Sequence, residues 1–252
     1  MKRAALAIFL SLFAAANPFA EEIDGAAFFK TARESMKFSR DGAQINIKRA
    51  SVVPAKGLCV SVPDGEMLSI AFSNKTSMLA VGLAEFKIEA FIQGSAENSP
   101  DDNLDRESAP SNISLSLKNG RFLFSLAQRL GSSKFTVKFP NAESEIQSGI
   151  AIAETGTNGS RLIPLDGFAR IKPQDSIWEI VKDGVSAVVP AKESDKKIIF
   201  KHVYSRERER FGNFIKTAEQ LRRSVIFKYS PNAGFAAELI LPKAFFAMPI
   251  KH

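Results

Sequence analysis

Apolar side chains recur at every second position along much of this chain. Ile45 and Ile47 begin the pattern, and Leu58, Val60 and Val62 continue it. Leu68, Ile70 and Phe72 follow, then Leu79, Val81 and Leu83, then Phe86 and Ile88. A period of two puts such residues on one face of successive strands and their polar neighbours on the other. Asp64-Gly65 lies between two of these runs, and a dipeptide of that kind accepts the positive φ angles of a tight hairpin turn. The first half therefore reads as an antiparallel sheet. Ahead of it, Phe28 to Met36 reads as a short helix.

The strongest local pattern is ISLSLKNGRFLFSL, where Ile113, Leu115 and Leu117 alternate before Asn119-Gly120 and Phe122, Phe124 and Leu126 alternate after it. This predicts a hairpin with a two-residue turn. Six large apolar side chains on one face, each worth about 1.5 to 3 kcal/mol when buried, are enough to seed a core. Phe135, Val137 and Phe139 add a strand that Pro140 stops, and IIFKHVY gives another. From Ser205 to Arg223 the period becomes helical, with Phe211, Phe214, Ile215, Ala218 and Leu221 in one stripe. Ser205 is placed to cap this helix, Glu207 and Glu209 fall in its first turn, and Arg222 and Arg223 in its last, as the helix dipole favours. The helix is expected to cover one side of the sheet. The competing reading makes it a partner-binding or membrane-surface helix, but its charges are of both signs, as on a solvated face. Val225 to Tyr229 and Ala236 to Leu241 return to strand. The fold predicted is all-β: an antiparallel β-sandwich or jelly-roll-like pair of sheets with a C-terminal amphipathic helix packed on them.

Residues 97–112, ENSPDDNLDRESAPSN, lack apolar periodicity and carry five acids against one arginine, which reads as an exposed acidic loop or linker. Within it Asp101, Asn103 and Asp105 have the one-three-five spacing of a calcium loop, but Arg106 stands where the sharp turn needs glycine and Asn112 where a bidentate glutamate would close the site. No metal site is expected. VVPAK occurs at 52–56 and again at 188–192, but the flanking residues do not align, so shared strand-end usage explains it better than an internal repeat. The organisation expected is a leader over 1–20, a β-rich segment over 21–96, the acidic stretch, a β domain over 113–192, and a strand, helix and final strands over 193–252. Whether 21–96 and 113–192 share one core or form two domains stays open.

Lys2 and Arg3 precede a run of small and apolar residues, Ala4 to Ala16, too short to span a bilayer as a helix and laid out as a secretory leader. Cleavage after Ala16 or after Ala20, and retention, all remain open. No cysteine follows either cut, so neither a lipid anchor nor any other stable membrane anchor is expected. The whole chain has 34 basic and 27 acidic residues, and loss of Lys2 and Arg3 would lower the net charge from +7 to +5. That mild excess fits a soluble exported protein, periplasmic or secreted, better than a nucleic-acid binder. The one cysteine, Cys59, forms no internal bridge and sits in LCVSV opposite Leu58, Val60 and Val62, as a small half-buried filler does. A mature chain of this size buries about 70% of its unfolded surface, enough to hold a fold without disulfides.

The stretch from Phe135 to Pro190 resembles a FecR-type domain. Val137, Pro140 and Ala142 match the opening of that family's V-x-T-P-x-A strand, and Ile146 matches the apolar position that follows. Leu165-Asp166-Gly167-Phe168-Ala169-Arg170-Ile171 is similar to the next turn and strand, and Val181 to Val189, around Asp183-Gly184, to the closing pair. The resemblance covers about residues 113–190 and rests on structural motifs. Phe139 replaces the family's threonine, and Ser148-Gly149 stands where it has glycine-threonine, so the turn after Ile146 is expected to differ. Regulators of this family carry a cytoplasmic segment that handles a sigma factor, then a membrane helix. Only Met1 to Arg3 precede the apolar run here, so the resemblance implies a solitary exported module of bacterial origin.

Candidate chemistry is sparse. His202 and His252 are the only histidines, too few for a zinc cluster and poorly placed for a His-based triad. Glu143 and Glu145 are paired carboxylates in an expected turn, without the desolvation that acid-base work needs. Gly156 and Gly159 flank Thr-Asn with no helix or lysine following, unlike a phosphate loop. Asn74, Asn112 and Asn158 fit the glycosylation pattern, which in a bacterium is a chance turn sequence. No catalytic, cofactor or metal residue is assigned. The expected role is non-catalytic binding of a protein partner or an envelope component, in an oligomeric state the sequence leaves open. Twenty-one phenylalanines against one tryptophan and two tyrosines favour a protein over a glycan, because sugar platforms use the amphipathic rings. An envelope-structural protein, a glycan-binding module and a hydrolase on a β scaffold are the competing classes.

Overall fold

The computed structural model describes residues 22–95, 103–147, 149–191 and 197–240. The expected leader, Asp101 and His252 lie outside them. Strands come first: β1 (Glu22–Asp24), β2 (Ala26–Phe29), β3 (Lys37–Arg40), β4 (Ala43–Ile45), β5 (Ser51–Pro54), β6 (Leu58–Val62), β7 (Met67–Phe72) and β8 (Thr76–Gly94). Beyond the acidic stretch come β9 (Ser111–Leu126), β10 (Lys134–Lys138), β11 (Ala142–Ile146), β12 (Gly149–Gly156), β13 (Gly159–Asp166), β14 (Phe168–Pro173), β15 (Glu179–Lys182), β16 (Val185–Pro190) and β17 (Ile199–His202). Helices α1 (Ser205–Arg210) and α2 (Gly212–Ser224) follow, then a separate hairpin of β18 (Val225–Ser230) and β19 (Gly234–Leu239).

The chain is all-β with a C-terminal helical cap, as the pattern predicts. Among the described strands pairing is antiparallel except that β10 runs parallel to β9, and one isolated parallel bridge joins Arg106 to Gln128. Two long strands, β8 and β9, each belong to two sheets. Sheet I runs β5-β2-β7-β8-β9-β12-β13-β16-β17 and uses the first half of β8 and the second half of β9. Sheet II runs β4-β3-β6-β8-β9-β10-β11-β14-β15 and uses the other halves. β1 pairs with β8 beyond β6.

The sheets face one another across a core cluster that runs from Ala27 to Ile198 and takes residues from both sides of the acidic stretch. Four edge-to-face phenylalanine pairs cross it. Phe29 meets Phe38 at 5.6 Å, Phe72 meets Phe91 at 5.9 Å, Phe86 meets Phe122 at 5.7 Å, and Phe124 meets Phe135 at 5.2 Å. In each pair one ring comes from sheet I and the other from sheet II. Such contacts add about 0.5 to 1.5 kcal/mol to the burial of the rings themselves.

The passage between the sheets corrects two expectations. Asn119-Gly120 is not a hairpin turn: β9 runs straight through it. Val81 lies opposite Arg121 and Glu85 opposite Asn119, so β8 carries Gly82, Leu83 and Ala84 against Gly120 alone. Beside it Glu85 and Phe86 lie opposite Asn119 and Leu117, so Lys118 is an extra residue on β9, and this second bulge shifts the inward set from Ile113, Leu115 and Leu117 to Phe122, Phe124 and Leu126, the same parity change a hairpin would produce. Gly120 has φ 109°, and a Cβ there would lie 2.6 Å from the Cα of Ala84. Asp64-Gly65 likewise closes no hairpin. β6 and β7 do not pair with each other but lie end to end along β8, and the turn bulges out between them at the same level as Gly82. Where β8 already supplies the ladder hydrogen bonds, the glycines serve as corners.

The expected helix over Phe28–Met36 is a third correction of local reading. Ala26–Phe29 is a fully buried strand held between β5 and β7. It reads as neither period because both of its faces are covered. Main-core side chains such as Phe29 lie on one face and Phe28 on the other, in a second cluster with Leu79, Leu123, Ile152, Ile163, Phe211, Ala218 and Leu221. That cluster is where the helix covers sheet I. The expected stripe is the packed face, but Ser205 does not cap it: Tyr204 is the N-cap residue, without a side-chain hydrogen bond, and the helix breaks at Phe211 into α1 and α2.

Candidate functional site

Asp105 accepts hydrogen bonds from Arg222 at 2.8 Å and Arg223 at 3.1 Å, and these hold its carboxyl below the usual range, with the Arg222 bond the largest cause. Arg222 is buried and also reaches Ser125 Oγ at 3.2 Å and the carbonyl of Leu104. Ser77 Oγ donates to the carbonyl of Ala218 at 2.7 Å. Asp105 and Arg222 thus clamp α2 to sheet I and to the acidic stretch, and no cluster of three metal-ligating side chains exists among the described residues. Residues 103–112 are largely exposed, as expected, but Glu107 turns inward. It lies 3.6 Å from Arg129, accepts from Ser111 Oγ at 2.9 Å and from the amide of Leu130 at 3.1 Å, and Arg129 stacks 5.7 Å from the Phe135 ring. Burial pushes the Arg129 guanidinium down, and the Glu107 charge opposes that shift. Neither residue stands out in the sequence: Glu107 is one of five acids in its stretch, and Arg129 lies past the end of β9, where alternation has stopped.

Glu143 and Glu145 face outward on β11, and β14 meets each with a cation. Lys172 lies 3.2 Å from Glu143, and Arg170 donates to Glu145 at 2.6 and 2.9 Å. Both expectations for this pair are corrected: these are strand residues, not turn residues, and Glu145 is buried. Gly156 and Gly159 flank the two-residue turn of the β12–β13 hairpin. Asn74 is buried and donates to Ser111 Oγ at 3.0 Å, whereas Asn112 and Asn158 are exposed. Cys59 is half-buried, as expected. His202 is exposed on β17. Gly149 has φ 79°, and a Cβ there would lie 2.3 Å from the carbonyl oxygen of Asp166. The turn before it includes Ser148, outside the described residues.

The feature that the alternation did not reveal is an uncovered apolar edge. β15 pairs only with β14 among the described strands, and β17 only with β16. They end sheets II and I on the same flank, joined through Asp183-Gly184 and β16. On this flank Ile177 is 77% exposed, Ile180 67% and Phe168 48%. The lone tryptophan, Trp178, sits among them with the Arg170 guanidinium and the Lys172 ammonium each 4.8 Å from its ring. β17 adds Ile199 and Phe200, both exposed, and Tyr204 follows it. An aromatic ring braced by cations amid exposed aliphatic side chains is the composition of a protein-recognition patch. On the opposite flank an open cleft of about 900 Å³ lies between residues 32–36 and 44–49. Met36, Phe38 and Ile47 form its floor, and Arg33, Lys48 and Arg49 stand on its rim.

The fold and this flank define an all-β sandwich with one helical cap and an aromatic-basic open edge. No protein-family model matches the chain, and no curated protein matches it. Among solved structures it is similar to a "putative anti-sigma factor" from Parabacteroides distasonis. One crystal structure aligns with TM-score 0.43 at 12% identity over 61% of this chain and 63% of that one. A second aligns with TM-score 0.40 at 12% identity over 60% and 62%. The chain thus spans about three fifths of the length of these neighbours. A likeness this loose assigns neither family nor function.

Proposed function

We propose that the protein is an exported, FecR-like, non-catalytic module that binds a protein partner in the periplasm or at the cell surface through its β14–β15 flank. The observation that carries the reading is the exposure of Ile177 and Ile180 beside a tryptophan with two cations against its ring. Free sheet edges are normally blunted by inward charges, proline or a covering element. This one has short edge strands that carry Lys182 and Lys201, but it also presents residue types that dominate binding hot spots. The leader-like pattern at residues 1–20 and the single cysteine fit export of a fold that rests on burial alone.

The test is site-specific photo-crosslinking in intact cells, with the reactive residue at position 180 or, as a control, at Lys216, which is exposed on α2. A discrete protein adduct from the periplasmic fraction at 180 and none at 216 is the expected outcome. Equal adducts at both positions, or none at either, would remove the basis of the reading, as would recovery of the protein in the cytoplasm with residues 1–20 intact.

A further inference from the structure

The cleft on the opposite flank has a chemistry of its own. It opens along β4, which ends sheet II and pairs only with β3 among the described strands. The β3–β4 hairpin closes at Arg40 and Ala43 over Asp41 and Gly42, whose φ values of 51° and 81° are those of a two-residue turn of the primed type. In such a hairpin the closing pair is hydrogen-bonded, so the next pair, Ser39 and Gln44, is not. The backbone N–H and C=O of Gln44 therefore point away from β3, into the cleft side, free to receive another strand.

The rim is one-sided in charge. Arg33, Lys48 and Arg49 line it with a single acid, Glu34. None of the three cations has an ion-pair partner among the described residues, whereas on the outer face of sheet II the ladder cations Lys118, Arg170 and Lys172 are each matched to a glutamate. The floor is apolar, but Met36, Phe38 and Ile47 are 4 to 5% exposed. It offers a shelf for a short side chain, without the depth an acyl chain requires.

We propose that this cleft binds an extended acidic peptide segment of a protein partner, added as a strand to β4. Its carboxylates face Arg33, Lys48 and Arg49, and an apolar side chain rests on the Met36–Ile47 floor. Backbone hydrogen bonds to Gln44 supply the geometry, and the rim cations supply the choice of acidic over basic sequence. The site stands apart from the β14–β15 flank and does not depend on it.

The probe is a short fluorescein-labelled peptide alternating glutamate and valine, titrated by fluorescence anisotropy against the full folded protein, beside its lysine-valine counterpart and phosphatidylglycerol vesicles. The glutamate peptide is expected to bind, more weakly as salt rises, and the lysine peptide not to bind. R33E/K48E/R49E should weaken binding about tenfold or more. Gln44→Pro, which removes an outward N–H and no hairpin hydrogen bond, should weaken it several-fold. K134E/K138E/K216E, which makes the same change in net charge at exposed sites elsewhere, should leave it intact, with thermal melts confirming that every variant folds. The proposal falls if the glutamate peptide fails to bind the unaltered protein, or if the control variant weakens it as much as the cleft variant. It falls equally if Gln44→Pro has no effect, or if vesicles bind in its place.

Discussion

Leu79 and Ile88 lie on the same strand and both are fully buried, but different neighbours bury them. Ile88 points into the core between the sheets, whereas Leu79 points out of sheet I and is covered by α2. Beneath α2, sheet I is thus apolar on both faces, and past the helix its outer face turns polar where Arg121 and Arg161 pair with Glu154. Sheet II keeps a polar outer face, laced by Lys118–Glu85, Arg170–Glu145 and Lys172–Glu143. A single helix makes the difference. Strands beneath it read as near-continuous apolar runs, and strands beyond its reach keep alternation to the edge, where Ile180 is left uncovered.

The largest effect should come from the shared core. Phe124→Ala removes one ring of a pair that ties the two sheets together and should cost about 3 to 5 kcal/mol in urea unfolding. Leu221→Ala, on the α2 face, should cost about 2 to 4 kcal/mol and raise binding of an apolar dye at urea concentrations where the main core persists. If both variants unfold in one indistinguishable step, the two clusters act as a single unit. Gly149→Ala meets both a positive φ and the Asp166 carbonyl and should cost more than Gly42→Ala. At Gly42 there is open space, and only the left-handed backbone penalty of about 1 to 2 kcal/mol applies. Equal losses would show that the close approach at Gly149 relaxes freely.

Next in size is a pH effect that acts through the helical cap alone. Glu207 on α1 accepts from Arg161 at 2.5 Å, and this bond is the main cause holding its carboxyl below the ordinary 4.5. Asp105 is held below 3.8 by Arg222 in the same way. Both are more acidic in the folded state than in the unfolded chain. Their contribution is therefore complete above those ordinary values and is lost as pH falls through the lower folded ones. Both are partly exposed, so solvent screening keeps the total below about 1 kcal/mol. D105N/E207Q should flatten the acid limb of stability against pH, and an unchanged limb would assign acid sensitivity elsewhere. The smallest effect belongs to the bare flank: I177S/I180S should change stability by no more than about 0.5 kcal/mol while abolishing a crosslink at Trp178.

Much of this molecule was legible in its sequence. The strands at 58–62 and 134–138 and the apolar stripe of the helix follow from period alone, because each has one covered face or one packed stripe. Ala26–Phe29 was misread because a strand covered on both sides has no period. The β14–β15 flank was invisible for the opposite reason. Ile177 and Ile180 look like core residues, and only the end of the sheet at β15 leaves them in solvent.

What the sequence determined by itself is the class of fold, since alternation and its switch to a helical period are local properties of side chains on a backbone. What only the tertiary structure decided is how Asn119-Gly120 and Asp64-Gly65 are used. A glycine with positive φ suits a hairpin turn and a bulge alike. The choice rests on whether a distant strand supplies hydrogen bonds to both sides of it, and here β8 does.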